Sequence, residues 1–194
     1  TRQDFIASAF YAHTANLLAK TAAVLGRDNG AYVQLHEKIV EKFRQTFPEY
    51  TTQTECVLAL YFGLTTDPAA TAAELAKRVR DAGTALQTGF VGTPYLLPVL
   101  SANGYTELAY DLLLREDYPS WLYSVNKGGT TMWEHWDCIM ENGDFWSKNM
   151  NSFNHYAYGS VMAWVYEEAA GIQTVESAPG YAQVRIAPRP DERL

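Results

Sequence analysis

Apolar residues recur at spacings of three and four from Asp4 to about Leu25, through Phe5, Ile6, Ala9, Phe10, His13, Leu17, Leu18 and Val24, and this period predicts a first helix. Gly26-Arg27-Asp28-Asn29-Gly30 breaks it. A second helix is predicted from roughly Ala31 to Phe47, with Val33, Leu35, Ile39, Val40 and Phe43 on its inner side and Pro48 beyond its end. Cys56, Val57, Leu60, Tyr61 and Leu64 make a third, short and nearly all apolar, which predicts full burial. Thr66-Asp67-Pro68 reads as an N-cap followed by proline at the first helical position. A fourth helix over 68–88 follows, with Lys77, Arg78, Arg80 and Asp81 outward and Gly89 as its stop. Pro94 opens a brief helix through Leu100, and Tyr105 to Leu114 makes another.

Residues 115–150 show no sustained period and many Gly, Asn and aromatic residues, which reads as a long loop. Such a loop within a compact domain is uncommon unless it is functional. A last helix starts near Ser152 or Asn154, carries Phe153, Tyr156, Val161, Trp164 and Val165, and stops at Gly171. After Pro179-Gly180 the run Tyr181-Ala182-Gln183-Val184-Arg185-Ile186 alternates like a strand, so the helical domain is expected over 1–178 and something different over 179–194. Helical hairpins joined by short polar turns suit a solenoid or a toroid. No repeat at a fixed period is present. The alternation of near-apolar with amphipathic helices favours two concentric layers, and hence a toroid.

Composition narrows the function class. With 194 residues, 47% hydrophobic and 19% charged, the chain can bury one sizeable core. No apolar run approaches the roughly 18 residues that span a bilayer, so no membrane segment is expected. No charged-then-apolar stretch of the secretory kind opens the sequence, which begins on Thr1 rather than Met, so its natural N-terminus is expected upstream. The compartment stays open, with the cytoplasm favoured over the periplasm or the exterior. A net charge of −7 disfavours nucleic acid, whose binding needs basic patches. Cys56 and Cys138 lie far apart without zinc-like spacing, so buried free thiols are expected, with no metal.

The candidate chemistry lies in Thr130-Thr131-Met132-Trp133-Glu134-His135-Trp136-Asp137, which sets a carboxylate between two indoles. Aromatic faces suit the C–H faces of a neutral sugar, while a carboxylate handles a hydroxyl or a water. All five tryptophans, Trp121, Trp133, Trp136, Trp146 and Trp164, fall in the second half of the chain. Tryptophan and tyrosine mostly serve cores. A second polar-aromatic cluster, Met150 through Ser160 with Asn154 and His155, makes the sugar reading the stronger one.

With these stretches in view, the chain resembles the bacterial α-L-rhamnosidases of glycoside hydrolase family 78. The resemblance rests on Thr88-Gly89-Phe90-Val91-Gly92-Thr93-Pro94-Tyr95-Leu96-Leu97-Pro98, Tyr118-Pro119-Ser120-Trp121-Leu122-Tyr123, Thr130 through Glu134 with Trp136-Asp137, Met150 through Ser160, and Pro179-Gly180-Tyr181, in that order. It implies an all-α fold, an incomplete (α/α)6 toroid made of the later hairpins, followed by the start of a C-terminal β-domain. It implies removal of terminal α-L-rhamnose from glycosides with inversion and without a cofactor, Glu134 as general base and His155 as a sugar contact. The family's general acid sits in a stretch upstream of everything in this sequence. The chain is therefore expected to be a fragment carrying half of the catalytic pair, whose partner is the rest of the same protein. Alone, it is expected to leave inner apolar faces open, to self-associate and to be inactive.

Inverting hydrolysis needs a protonated acid and an ionised base roughly 6.5–9.5 Å apart, the base holding a water. Glu134 can be that base, with Trp133, Trp136, Asn154 and His155 binding the sugar. The bland alternatives are an exposed loop acid for Glu134 and a core histidine for His155. Tyr156 and Tyr158 are not expected to be ligands, and Asp137 would orient Glu134 or cap a turn. A lyase would want basic residues that the Trp-rich segment lacks. The rival of another class is a non-catalytic helical carbohydrate-binding or scaffold module.

Overall fold

In the computed structural model, which describes residues 1–193, the first two helices are α1 (Gln3–Val24) and α2 (Gly30–Thr46), packed side by side. The sequence places their bounds well but not their buried faces. α1 buries Phe5 and then a stripe of Ala9, Ala12, Ala15, Ala19 and Ala22, while Leu17, Leu18 and Val24 are exposed. Small side chains at helical spacing let two backbones approach closely, and that stripe outcompetes the larger residues for the contact with α2. Of the five residues expected inside α2, only Phe43 is buried, and Val33 is exposed. Phe43 joins Phe5 and Phe47 in an edge-on cluster with centroids 4.9–5.1 Å apart.

α3 (Gln53–Tyr61) is buried from Gln53 to Ala59, but Leu60 is half-buried and Tyr61 exposed, so the full burial expected of it holds only in part; Thr52 caps it by accepting from the Glu55 N–H at 3.2 Å. Glu55 is itself fully buried. It takes the Arg2 guanidinium at 3.1 Å and the Thr51 N–H and hydroxyl at 2.8 and 3.0 Å. α4 (Pro68–Asp81) begins as predicted, with Asp67 accepting from the Ala70 N–H at 3.0 Å. It ends well short of residue 88, because Gly83 at φ +73° turns the chain. The residues divide into two compact units, 1–78 and 79–194.

In the second unit Gly89 opens a helix instead of closing one. α5 (Gly89–Ala102) runs through both Pro94 and Pro98, so the helix starts five residues before the proline that seemed to open it. Each proline removes one backbone donor, but burial of Leu96, Leu97, Val99 and Leu100 holds the helix. α6 (Thr106–Leu113) packs on it. α7 (Trp121–Asn126) lies inside the stretch expected to be loop. It is too short to show a period, and its one local signal is the Ser120 cap, whose hydroxyl accepts from the Tyr123 N–H at 3.1 Å.

The last helical run begins at Tyr156, later than expected, and is irregular: a 3-10 turn (Tyr156–Ser160), α8 (Val161–Trp164) and a π turn (Val165–Ala169). Trp164 anchors it, its indole N–H donating to the Ser101 hydroxyl at 2.9 Å. β1 (Ile172–Thr174), which the sequence does not foretell, pairs antiparallel with β2 (Val184–Ile186) within the strand expected there. Gly171 is required at their root: φ is +70°, and a Cβ would fall 2.2 Å from the Ala187–Pro188 backbone. No helix among the described residues is long and apolar enough to cross a membrane.

Candidate active site

The two clusters singled out from the sequence meet in the second unit. The His155 N–H donates to the Met132 carbonyl at 2.8 Å and the Glu134 N–H donates to the Ser152 carbonyl at 3.0 Å, so the strand-like segments 132–134 and 152–155 are clamped together, running in opposite directions. The Thr131 hydroxyl donates to the Phe153 carbonyl, and the Cys138 thiol reaches the Ser152 carbonyl at 3.6 Å. These bonds satisfy backbone groups of a segment with no helix or sheet of its own. They pair Glu134 with Ser152 and His155 with Met132, so the two clusters share one site although 21 positions separate Glu134 from His155 in sequence.

Glu134 is half-buried, and no hydrogen bond among the described residues engages its carboxylate. Its four acceptor positions are free for a water or a hydroxyl. Trp136 is half-buried, with its ring stacked on Tyr158 at 3.9 Å and 14° and edge-on to Trp121 at 5.3 Å. Trp133 behaves differently from the expectation that it lines a sugar. It is 3% exposed, edge-on to Phe153 at 5.4 Å and pressed on Gly129. It has no face to offer, and it supports the segment from within. His135 and Trp146 stack at 3.7 Å, with Trp146 48% exposed.

His155 caps the last helical run from an extended backbone (φ −126°, ψ 109°) rather than sitting in its first turn, and its Nδ1 accepts from the Ala157 N–H at 3.5 Å. That bond leaves the proton on Nε2, which can donate to an incoming group. The imidazole lies flat on Phe90, with centroids 4.7 Å apart and 9° between planes. Asn154 is exposed beside it.

Two further residues belong to this site: Tyr158, which the sequence reading set aside as a ligand, and Phe90, to which it gave no role. Tyr158 is buried, and its hydroxyl is pushed up to about 12, first by burial and then by the neighbouring Tyr118 and Glu134. It therefore stays protonated and is a permanent donor near the carboxylate. Phe90, from the start of α5, stood in the sequence only as one member of the Thr88–Pro98 stretch. A cleft of about 470 Å³ opens against Trp136 and Tyr158 and is also lined by Thr88, Arg115 and Tyr118. A larger cleft of about 570 Å³ along α2, lined by His36, Glu37, Val40, Glu41 and Arg44, has no aromatic wall and lies in the other unit. No group of acidic, histidine or cysteine side chains among the described residues could hold a metal ion.

Comparison with known proteins gives the family of the chain. Residues 1–169 match the family described as bacterial alpha-L-rhamnosidase 6 hairpin glycosidase domain, a match that ends just ahead of β1. An α-L-rhamnosidase of Streptomyces avermitilis is 44% identical over 98% of this chain and 19% of its own, and one of Formosa agariphila is 40% identical over 100% and 22%. The chain thus spans about a fifth of the length of these relatives. Among solved structures, the Streptomyces avermitilis α-L-rhamnosidase complexed with L-rhamnose superposes with a TM-score of 0.93 at 43% identity, covering 98% of this chain and 19% of that one. The native α-L-rhamnosidase of Aspergillus terreus gives 0.92 at 32% identity, covering 98% and 23%. The fold is accordingly the mostly helical later part of an (α/α)6 catalytic domain, and the chain belongs to the bacterial α-L-rhamnosidase six-hairpin glycosidase family.

Proposed function

We propose that this chain supplies the general base of an α-L-rhamnosidase that releases terminal α-L-rhamnose from glycosides with inversion. The observation that carries the reading is the clamp between segments 132–134 and 152–155, which joins the two clusters while no hydrogen bond among the described residues engages the Glu134 carboxylate, whose charge is felt by the Tyr158 hydroxyl of the Trp136–Tyr158 stack. Glu134 takes a proton from a water as that water attacks the anomeric carbon. The bond to the aglycone oxygen breaks on the opposite ring face, and that oxygen is protonated by an acid outside this segment. His155, through Nε2–H, and Asn154 hold sugar hydroxyls, and Trp136 forms an apolar wall. Trp133 keeps Glu134 in place from behind.

The acid and the remaining sugar contacts come from the rest of a longer protein, so this segment alone is inactive. Its exposed Leu17, Leu18, Val24 and Leu25 favour self-association. The β1–β2 hairpin and the residues after it start the β-domain. The test is proton NMR of the whole protein hydrolysing an aryl α-L-rhamnoside. The inverting reading expects β-L-rhamnose as the first product, before mutarotation. First-formed α-L-rhamnose refutes inversion, and no rhamnose release from any rhamnoside refutes the rhamnosidase reading in favour of a binding module.

A further inference from the structure

We propose that Phe90 is a positioning residue for His155, holding the imidazole in its sugar-binding orientation. The inference rests on the reading of His155 as a sugar contact. Phe90 stands at the start of α5, 65 positions before His155, and its ring touches both halves of the aromatic site: parallel to His155 at 4.7 Å and 9°, and tilted against Tyr158 at 5.0 Å and 52°. Tyr158 in turn carries Trp136 at 3.9 Å. Phe90 is thus the link between the imidazole and the indole stack.

The need for such a link follows from how His155 is otherwise held. Its backbone N–H is tied to Met132 at 2.8 Å, but among the described residues its side chain has one hydrogen bond, the long 3.5 Å contact from the Ala157 N–H to Nδ1. A bond of that length constrains the ring weakly. The flat stack confines the second side-chain torsion to the two orientations that keep the rings parallel, and the Ala157 N–H to Nδ1 contact selects between them the one that turns Nε2 the other way. Phe90 gives the imidazole a face.

The test is a double-mutant cycle in the whole enzyme. Aromatic pairs of this kind contribute about 0.5–1.5 kcal/mol beyond burial, which corresponds to roughly 2- to 12-fold in an equilibrium at 1.36 kcal/mol per decade. Phe90→Ala should raise KM for an aryl rhamnoside by about that factor, with kcat falling less. Phe90→Tyr, which keeps the ring, should restore KM, while Phe90→Leu, which keeps the bulk alone, should not. In a His155→Ala background Phe90→Ala should change KM no further. If the two losses instead multiply, or if Phe90→Leu is as good as Phe90→Tyr, the positioning role is overturned while the His155 contact stands. If His155→Ala leaves KM unchanged, the contact itself fails and the inference falls with it. Should Phe90→Ala not fold, the Leu and Tyr variants decide the outcome by the same criterion.

Discussion

Two glutamates, one in each compact unit, show what distinguishes a carboxylate that holds a fold from one that is free to react. Glu55, in the first unit, is completely buried and saturated: a guanidinium, two backbone N–H groups and a hydroxyl occupy its two oxygens. Burial alone would raise its pKa, but the bonds from Arg2 and Thr51 overcome that and hold it at about 2. Glu134, in the second unit, is half-buried among aromatic rings and has none of its acceptor positions filled. A saturated carboxylate has nothing left for a water. A general base must be positioned by its backbone and kept open at its oxygens, which is the arrangement at Glu134.

The largest structural effect expected is on the Glu55 side. Arg2→Met leaves a buried carboxylate without its guanidinium, a change that costs about 3–5 kcal/mol in comparable pairs, although solvent around the half-exposed Arg2 moderates it. Denaturant unfolding of the whole protein should show the loss, with KM unaltered under native conditions. An unchanged transition would mean that Glu55 is no structural hub. Next comes its pH dependence. Because folding lowers this pKa from 4.5 to about 2, the stabilisation is fully present above about pH 4.5 and is lost as pH falls through 2. The loss is at most about 3 kcal/mol at 1.36 kcal/mol per pKa unit, and less with screening at Arg2. Glu55→Gln should flatten that acid limb, and an equally steep limb in the variant would assign it to other groups.

A smaller effect sharpens the Glu134 side. A Cβ at Gly129 would lie 2.7 Å from the Ser124 carbonyl oxygen and 2.9 Å from the Trp133 ring. Gly129→Ala should therefore cost about 1–3 kcal/mol through overpacking and lower kcat by shifting Trp133 beneath Glu134. Stability and kcat indistinguishable from wild type would show that Trp133 does not support the base.

How far the sequence discloses this molecule depends on the length of its patterns. α1, α2 and α6 carry enough turns for the three-and-four spacing to show, and their bounds emerge within a residue or two. Their packing does not, because a stripe of alanines is invisible to a count of large apolar residues. α7, of one and a half turns, has no period to read, and α5 hides behind two prolines that elsewhere would end a helix. Glu134, His155 and Trp136 stood out because charge beside aromatic rings is unusual in a loop. Trp133 was misread for the same reason, since which face an indole turns inward is settled by the Gly129 and Phe153 contacts. Phe90 and Tyr158 enter the site through contacts across 22 to 68 positions of sequence, and only the folded chain brings those together.

The most direct measurement is turnover of Glu134→Gln in the whole enzyme on an aryl α-L-rhamnoside, read beside its unfolding transition. The substitution keeps shape and removes only the ability to take a proton, so kcat should fall by about 10²-fold or more, the usual scale for general base catalysis, while stability stays at the wild-type value. Wild-type kcat in that variant would contradict the role assigned to Glu134, and loss of stability in step with turnover would place it with Glu55 among the carboxylates that hold the fold.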